Sequence, residues 1–295
     1  MSVYYYRVVS VNPALDEIPA VSHFQIVSNA FHDFECAGWE SVVAAYASSF
    51  GSLTTQAIRP LLDSMRAGPG VSLLDVATGP GYVAATAAER GAVVTGVDFS
   101  ASMIAEAKRR HPAVEFCQGD AEALPFPDAS FDAVAMNFGV LHLGRPDRAL
   151  REACRVLRSG GRYGFTVWAK PEETVGFGIT LGAIQTHGNI NVPLPDGPPF
   201  FRFSDPDECV RSLVSAGFAN PQVIKIPQTW QLSSPDSLFE TIRTATVRTA
   251  GLLRGQTPQA LLAIRAAMGS AGRAYEKAGV IELPMPAILA SAVKP

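Results

Sequence analysis

Charge is scarce in this chain of 295 residues: 24 Lys and Arg stand against 27 Asp and Glu, a net charge of −3, and charged residues make up only 17% of the sequence. Without clustered basic residues there is no electrostatic footprint for a phosphate backbone, so nucleic acid is not an expected partner. The one tight basic run, Lys108-Arg109-Arg110, closes a helical pattern, where cations complement the carbonyl end of the helix dipole. Cysteine is sparse too. Cys36, Cys117, Cys154 and Cys209 form no CxxC pair and have no histidine at ligand spacing, so neither a disulfide framework nor a metal site is expected. Apolar runs are short: none reaches membrane-spanning length, and residues 1–10 lack the apolar stretch of a secretory leader. The expectation is a cytoplasmic protein that does not cross a membrane, with monomer and homodimer both open. Hydrophobic residues are not scarce. At 47% they point to a large core or to apolar pockets within it.

Along the chain, residues 1–35 show no sustained period and read as an irregular arm. From Gly38 to Met65 the residues Trp39, Val42, Val43, Tyr46 and Phe50 recur at helical spacing, with Pro60 set to divide the region. From residue 71 short apolar runs alternate with helical stretches. Strands are expected at 71–76, 92–98, 114–118, 131–137 and 162–168, with helices at 82–90, 101–110 and 146–157; Ser100 is placed to cap the second helix and Ser159-Gly160-Gly161 to stop the third. Such alternation gives parallel strands in a doubly wound α/β sheet. Regularity then lapses through a glycine- and proline-rich segment, a candidate lid at about 170–203. A helix at 204–216, a strand at 222–226, helical residues 235–279 and a final strand at 288–293 complete the reading. Residues 1–69 are thus an arm with cap helices. Residues 70–295 are a core carrying insertions at about 170–203 and 227–283.

The chemistry-bearing segment begins at Leu73-Leu74-Asp75-Val76-Ala77-Thr78-Gly79-Pro80-Gly81, a strand turning through glycines into a helix, where exposed amides and the helix N-terminus meet a ligand. Gly79, Gly81 and Ala84 also satisfy the dinucleotide form G-x-G-x-x-A, with Asp98 at the distance of a ribose carboxylate, so a nicotinamide oxidoreductase must be weighed. Asp75 argues against it, because a pyrophosphate would meet its negative charge. A nucleoside bearing an amino acid suits the turn better, its cationic amine answering Asp75. Asp98 ends the second strand, where its two oxygens can accept from both ribose hydroxyls, although it could equally cap a helix. Gly119-Asp120-Ala121 ends the third strand, and Asn137-Phe138-Gly139 brings the fourth to the same sheet edge.

In these residues, together with Gly96-Val97-Asp98-Phe99-Ser100, Phe131-Asp132 and Val156-Leu157-Arg158-Ser159-Gly160-Gly161, the sequence resembles the class I S-adenosylmethionine-dependent methyltransferases, in particular the branch that methylates quinones and related small molecules. The resemblance covers about residues 70–168. It implies a Rossmann-like, doubly wound sheet of seven strands, the last antiparallel, with N-terminal helices and a helical lid. It also implies S-adenosylmethionine as cofactor, bound by Asp75, Ala77, Thr78, Gly79, Gly81, Asp98, Ser100, Asp120, Ala121, Asn137 and Phe138. Tyr46 would cover the methionine end, and Phe99 and Met103 would pack beside adenine; ordinary core packing is the alternative for each. Ala77 stands where the commonest family pattern has glycine. No Asn-Pro-Pro-aromatic motif follows the fourth strand; that motif marks methylation of nucleobase or amide nitrogen in the family.

Transfer of a methyl group needs alignment, exclusion of water and, for a hydroxyl nucleophile, a base. His142, just past the fourth strand, is the candidate catalytic base, with a merely packed or capping histidine as the alternative. Trp168, His187, Phe200, Phe201 and Trp230 are candidates for a pocket that takes a small, largely apolar acceptor, methylated on oxygen or activated carbon. A protein that binds S-adenosylmethionine for non-methyl chemistry would carry the same sequence features.

Overall fold

The computed structural model describes residues 21–295, with side chains from residue 30 onward. The chain opens with α1 (Val21–Ser48), α2 (Gly51–Thr54) and α3 (Ile58–Ser64), the last two joined by one 3-10 turn. The expected irregular arm at 1–35 is corrected over 21–35, which form the first half of α1; residues 1–20 lie outside the described residues. The cause is long-range packing. Phe31 is buried, and Gly197 closes on its ring so tightly that a Cβ there would sit 2.4 Å from it. Pro60 sits in the first turn of α3, where a missing N–H costs no helical bond.

The alternation expected from the sequence follows: β1 (Ser72–Val76), α4 (Tyr82–Glu89), β2 (Val93–Asp98), α5 (Ala101–Arg110), β3 (Glu115–Gln118), β4 (Phe131–Asn137), α6 (Pro146–Val156) and β5 (Leu157–Trp168). Leu73, Leu74 and Val76 in β1 and Ala133 to Met136 in β4 are buried as continuous runs, the pattern of parallel strands covered on both faces. Ser100 caps α5, its hydroxyl accepting from the Met103 amide at 3.1 Å. Beyond β5 come α7 (Val175–His187), α8 (Pro206–Ser215), β6 (Ala219–Ile226), β7 (Thr229–Leu232), α9 (Pro235–Ala245), α10 (Arg248–Arg254), α11 (Pro258–Arg273), β8 (Glu276–Lys277), β9 (Val280–Pro284) and β10 (Ala287–Val293).

One sheet runs β3-β2-β1-β4-β5-β10-β6, with β10 antiparallel between β5 and β6. It is the seven-stranded, doubly wound sheet expected, its order reversing between β1 and β4, where such sheets leave a crevice beyond the carboxyl ends of the strands. Among the described residues no helix is long and apolar enough to cross a membrane.

Three local expectations are corrected. The Ser159-Gly160-Gly161 stop does not separate helix from strand: β5 begins at Leu157, and residues 158–161 form an irregularity across which pairing jumps from Phe131↔Leu157 to Ala133↔Arg162. Within the supposed structureless lid, residues 175–187 form α7 despite three glycines. Gly176 is required by packing, since a Cβ there would lie 3.1 Å from Met285 Sδ and 3.3 Å from the Trp230 ring, and the buried Phe177, Thr180 and Ile184 hold the helix to the core. Residues 227–283 are not wholly helical: β7, β9 and β8 form a small antiparallel sheet whose two-residue turn, Ala278-Gly279, has φ values of 49° and 83°.

Candidate functional site

The site starts from backbone geometry at the end of β1. Ala77, Gly79 and Gly81 all take left-handed φ, at 54°, 53° and 85°, so the chain doubles back into α4. At Ala77 this conformation costs about 1–3 kcal/mol, held by the surrounding bonds. The Thr78 amide donates to Val97 O at 3.0 Å, and the Gly79 amide donates to Asp98 Oδ2 at 2.9 Å. Nothing lies within 4 Å of where a Gly79 side chain would begin, so the turn leaves open space.

Two carboxylates stand under this turn with different work. Asp98 lines the cleft. Its Oδ1 accepts from the Ser100 amide at 2.9 Å, so each oxygen takes one backbone N–H and retains acceptor capacity. Burial pushes its carboxyl up to about 6, against the stabilising amides of Ser100 and Gly79. Asp75 lies behind the turn, where Oδ2 accepts from Thr78 Oγ1 at 2.5 Å and the Ala84 amide at 3.1 Å. Its Oδ1 is buried without a partner, and burial pushes the carboxyl up to about 7. Asp75 therefore braces the turn. For the expected hold on a cationic amine, direct or through water, the structure places Asp75 behind the cleft wall, 1% exposed.

The cleft encloses about 1020 Å³, its solvent-open mouth included. Of the residues singled out by sequence, Tyr46, Ala77, Thr78, Gly79, Asp98, Phe99 and Met103 line the half nearest β1 and β2. Asn137, Phe138, His142, Trp168 and Phe200 line the other half. Phe138, itself at φ 53°, stacks on Trp168 with ring centroids 4.1 Å apart. The Asn137 amide is committed, donating to Thr54 O and accepting from Thr166 Oγ1. The Tyr46 hydroxyl lies 3.1 Å from Thr54 Oγ1, and burial pushes it up to about 12, so it is a neutral phenol.

Other expected residues lie behind or beside these walls. Gly81 and Ser100 serve the turns into α4 and α5. Asp120 Oδ1 accepts from the Glu122 amide at 2.8 Å within its own loop, next to the buried Ala121. Phe201 and Trp230 back the pocket through Phe177 and Phe50 rather than lining it. His187 is corrected outright: it is the exposed last residue of α7, because the segment that carries it is a helix and not a lid folded inward.

What sequence reasoning missed comes from distant segments. α1 and α2 contribute Trp39, Phe50 and Thr54, α7 contributes Phe177, and residues 245–249 complete the far wall. The central omission is Glu35 on α1, only 1% exposed. Its Oε2 lies 2.9 Å from His142 Nδ1 and accepts from Trp39 Nε1 at 3.1 Å, while Oε1 accepts from Arg248 Nε at 2.8 Å. Burial alone would raise the Glu35 carboxyl; the adjacent His142 and Arg248 outweigh it and hold it below the usual carboxylate value. Arg248 also donates to Pro198 O and Leu141 O, drawing the loop before Phe200 and the loop carrying His142 together. The signal available in the sequence was an acid at helical spacing between two aromatics, Phe31 and Trp39, on a face that must be buried.

α1 is also fixed at the opposite end of the cleft. Glu40 accepts from the amides of Ala101 and Ser102 at 2.5 and 3.1 Å, at the N-terminus of α5. A second buried acid, Glu122, accepts from the Arg145 amide and Nε, tying the Asp120 loop to the segment after His142.

Comparison with known proteins accords with this geometry. A family model described as "Methyltransferase domain" matches residues 74–165. Demethylmenaquinone methyltransferase of Beutenbergia cavernae is 43% identical over 124 residues, covering 40% of this chain and 52% of that protein. The same enzyme of Thermus thermophilus is 47% identical over 96 residues, covering 30% and 44%. The chain thus spans about half the length of the curated relatives it matches. Among solved structures, the YcgJ protein of Bacillus subtilis aligns with a TM-score of 0.54 at 20% identity over 81% of this chain and 97% of that one. The Haemonchus contortus phosphoethanolamine N-methyltransferase 2, solved with phosphomonomethylethanolamine and S-adenosylhomocysteine, gives 0.54 at 19% over 90% and 60%. These structures share the fold. Residues 74–165 of this chain thus match a methyltransferase-domain model and lie in a doubly wound sheet that these methyltransferase-fold structures share.

Proposed function

We propose that this chain binds S-adenosylmethionine across Gly79 and Asp98 and transfers its methyl group to a small, largely apolar acceptor, an aromatic, quinol or polyketide-like molecule, at oxygen or an activated carbon. The observation that carries the reading is one continuous cleft with an open glycine turn and buried carboxylate at one end and, at the other, His142 among Trp39, Phe138, Trp168, Phe177 and Phe200. The residues fit the cofactor. Asp98 keeps acceptor capacity on both oxygens for paired hydroxyls, and Gly79 leaves the space a close-approaching ligand needs.

When bound, the cofactor supplies an electrophilic methyl carbon on a sulfonium, whose C–S bond breaks with its electron pair kept by sulfur. The chain's task is alignment and dehydration. The aromatic walls hold a flat apolar acceptor and exclude water. His142 spends Nδ1 on Glu35, so Nε2 is the nitrogen free to take the acceptor's hydroxyl proton as the nucleophile forms its new bond to carbon. Tyr46, Phe99 and Met103, on the cleft wall, would hold the cofactor's organic body. The named function of the relatives, methylation of demethylmenaquinone, supports an acceptor of the quinol kind.

Calorimetric titration with S-adenosylhomocysteine, followed by a panel of phenols, polyketides and short-chain demethylmenaquinol read by mass spectrometry, tests this. Cofactor binding with a mass gain of one methyl group on a panel member is expected. Binding without methylation of any member would leave a cofactor-binding protein of other chemistry, and affinity for NAD(P) in place of S-adenosylhomocysteine would make it an oxidoreductase.

A further inference from the structure

We infer that Glu35 is a positioning residue for His142, a buried carboxylate that α1 delivers to fix the ring's tautomer and orientation, with Arg248 holding that carboxylate in turn. This rests on the reading of His142 as the base. The chain of contacts is linear: Arg248 Nε donates to Glu35 Oε1 at 2.8 Å, and Glu35 Oε2 lies 2.9 Å from His142 Nδ1. With Arg248 and a second donor, Trp39 Nε1, also pointing at it, Glu35 is ionised and acts only as an acceptor. An ionised carboxylate at Nδ1 requires the ring proton there, which leaves Nε2 with its lone pair.

The ring is also clamped sterically. Trp39 and Phe200 meet it in T-shaped contacts at 4.8 and 6.0 Å between centroids, so two aromatic rings restrict its rotation. Arg248 lies over the Phe31 ring at 4.2 Å, and its contacts with the Leu141 and Pro198 carbonyls fix where its charge sits. An acid placed to neutralise a buried arginine alone would not need its second oxygen on an imidazole. Taken together, segments around residues 35–39, 142, 200 and 248, remote in sequence, meet about this one imidazole.

The first test needs no acceptor. In 15N NMR of the unmodified protein loaded with S-adenosylhomocysteine, the neutral His142 ring is expected to carry its proton on Nδ1; a proton on Nε2 overturns the inference. The second is a double-mutant cycle with short-chain demethylmenaquinol. His142→Gln is expected to lower kcat by about 100-fold, the scale of general-base catalysis, and Glu35→Gln by about tenfold or more with S-adenosylhomocysteine affinity unchanged. In the His142→Gln background, Glu35→Gln is expected to cost nothing further. Equal losses in both backgrounds would show that Glu35 acts independently and overturn the role. Full activity in His142→Gln would sink the base reading itself, whereas a slow His142→Gln beside an unaffected Glu35→Gln would sink only the positioning. Glu35→Asp, which keeps charge and shortens reach, is expected to fold and to recover part of the rate.

Discussion

The two ends of the cleft are built by different means. The end beneath β1 and β2 is made of backbone: three left-handed turns and amides pinned on Asp98, with most of its groups within about 30 residues of one another. The end around His142 is made of side chains from α1, α7, α10 and the loop after β4. Its key contacts join residues 107 and 213 positions apart. A cofactor of fixed structure can be met by a local, rigid device; an acceptor is met by surfaces that long loops and helices bring in from elsewhere. On the proposed function, selectivity resides in the second region and can change without disturbing the first.

Substitutions should separate the two ends. The largest effect is expected from Asp98→Ala, which removes the charged acceptor for two hydroxyls and leaves the Gly79 and Ser100 amides unpaired. S-adenosylhomocysteine affinity should fall by about 100-fold or more in calorimetry, corresponding to ~3 kcal/mol. Retained affinity would remove Asp98 from the site. Acidification acts on the same end. Because the ionised form of Asp98 is the one that accepts, and its carboxyl titrates at about 6, affinity is preserved above that pH and lost below it, by about tenfold between pH 7 and pH 5. Asp98→Asn, which does not titrate there, should flatten that dependence.

At the other end, Phe200→Ala should raise the acceptor's KM by roughly fivefold, the scale of one partly buried aromatic wall, and leave cofactor affinity alone. A change in cofactor affinity of the same size would erase the distinction between the ends. The smallest effect is expected at Asp75. Its raised carboxyl means that the folded state binds a proton more tightly than the unfolded one between about pH 4 and pH 7, so its contribution is most favourable at low pH and is lost as pH rises through about 7. Asp75→Asn should therefore gain a few degrees in melting temperature at pH 8 relative to its effect at pH 5.

The same contrast explains what could be read from the sequence. The elements from β1 to α6 have boundaries close to expectation because each is specified by its own residues: apolar runs for strands, Ser100 and Pro146 for helix starts, Gly91 and Gly119 for turns. α7 was obscured because its glycines lower local propensity, and what crowds one of them, Gly176, is Trp230 and Met285, more than 50 residues away. The β8–β9 hairpin hid behind alanine at a left-handed turn position that asparagine or aspartate usually advertises. In the site, Asp98 and His142 were legible as residue types at strand ends. Glu35 was not, since an acid on an N-terminal helix acquires meaning only from the histidine and arginine that fold onto it.

The span of those contacts also governs how the molecule is made. α1 is made well before α10, so Glu35 finds Arg248 only after 213 further residues have been added. At roughly 5–20 residues per second this is a wait of about 10–40 s, during which Glu35 stays without its arginine although Trp39 and Glu40 can already meet His142 and the start of α5. The contact chain from Arg248 through Glu35 to His142 therefore closes only after α10 is made, long after the turn at Gly79 and Asp98 can form.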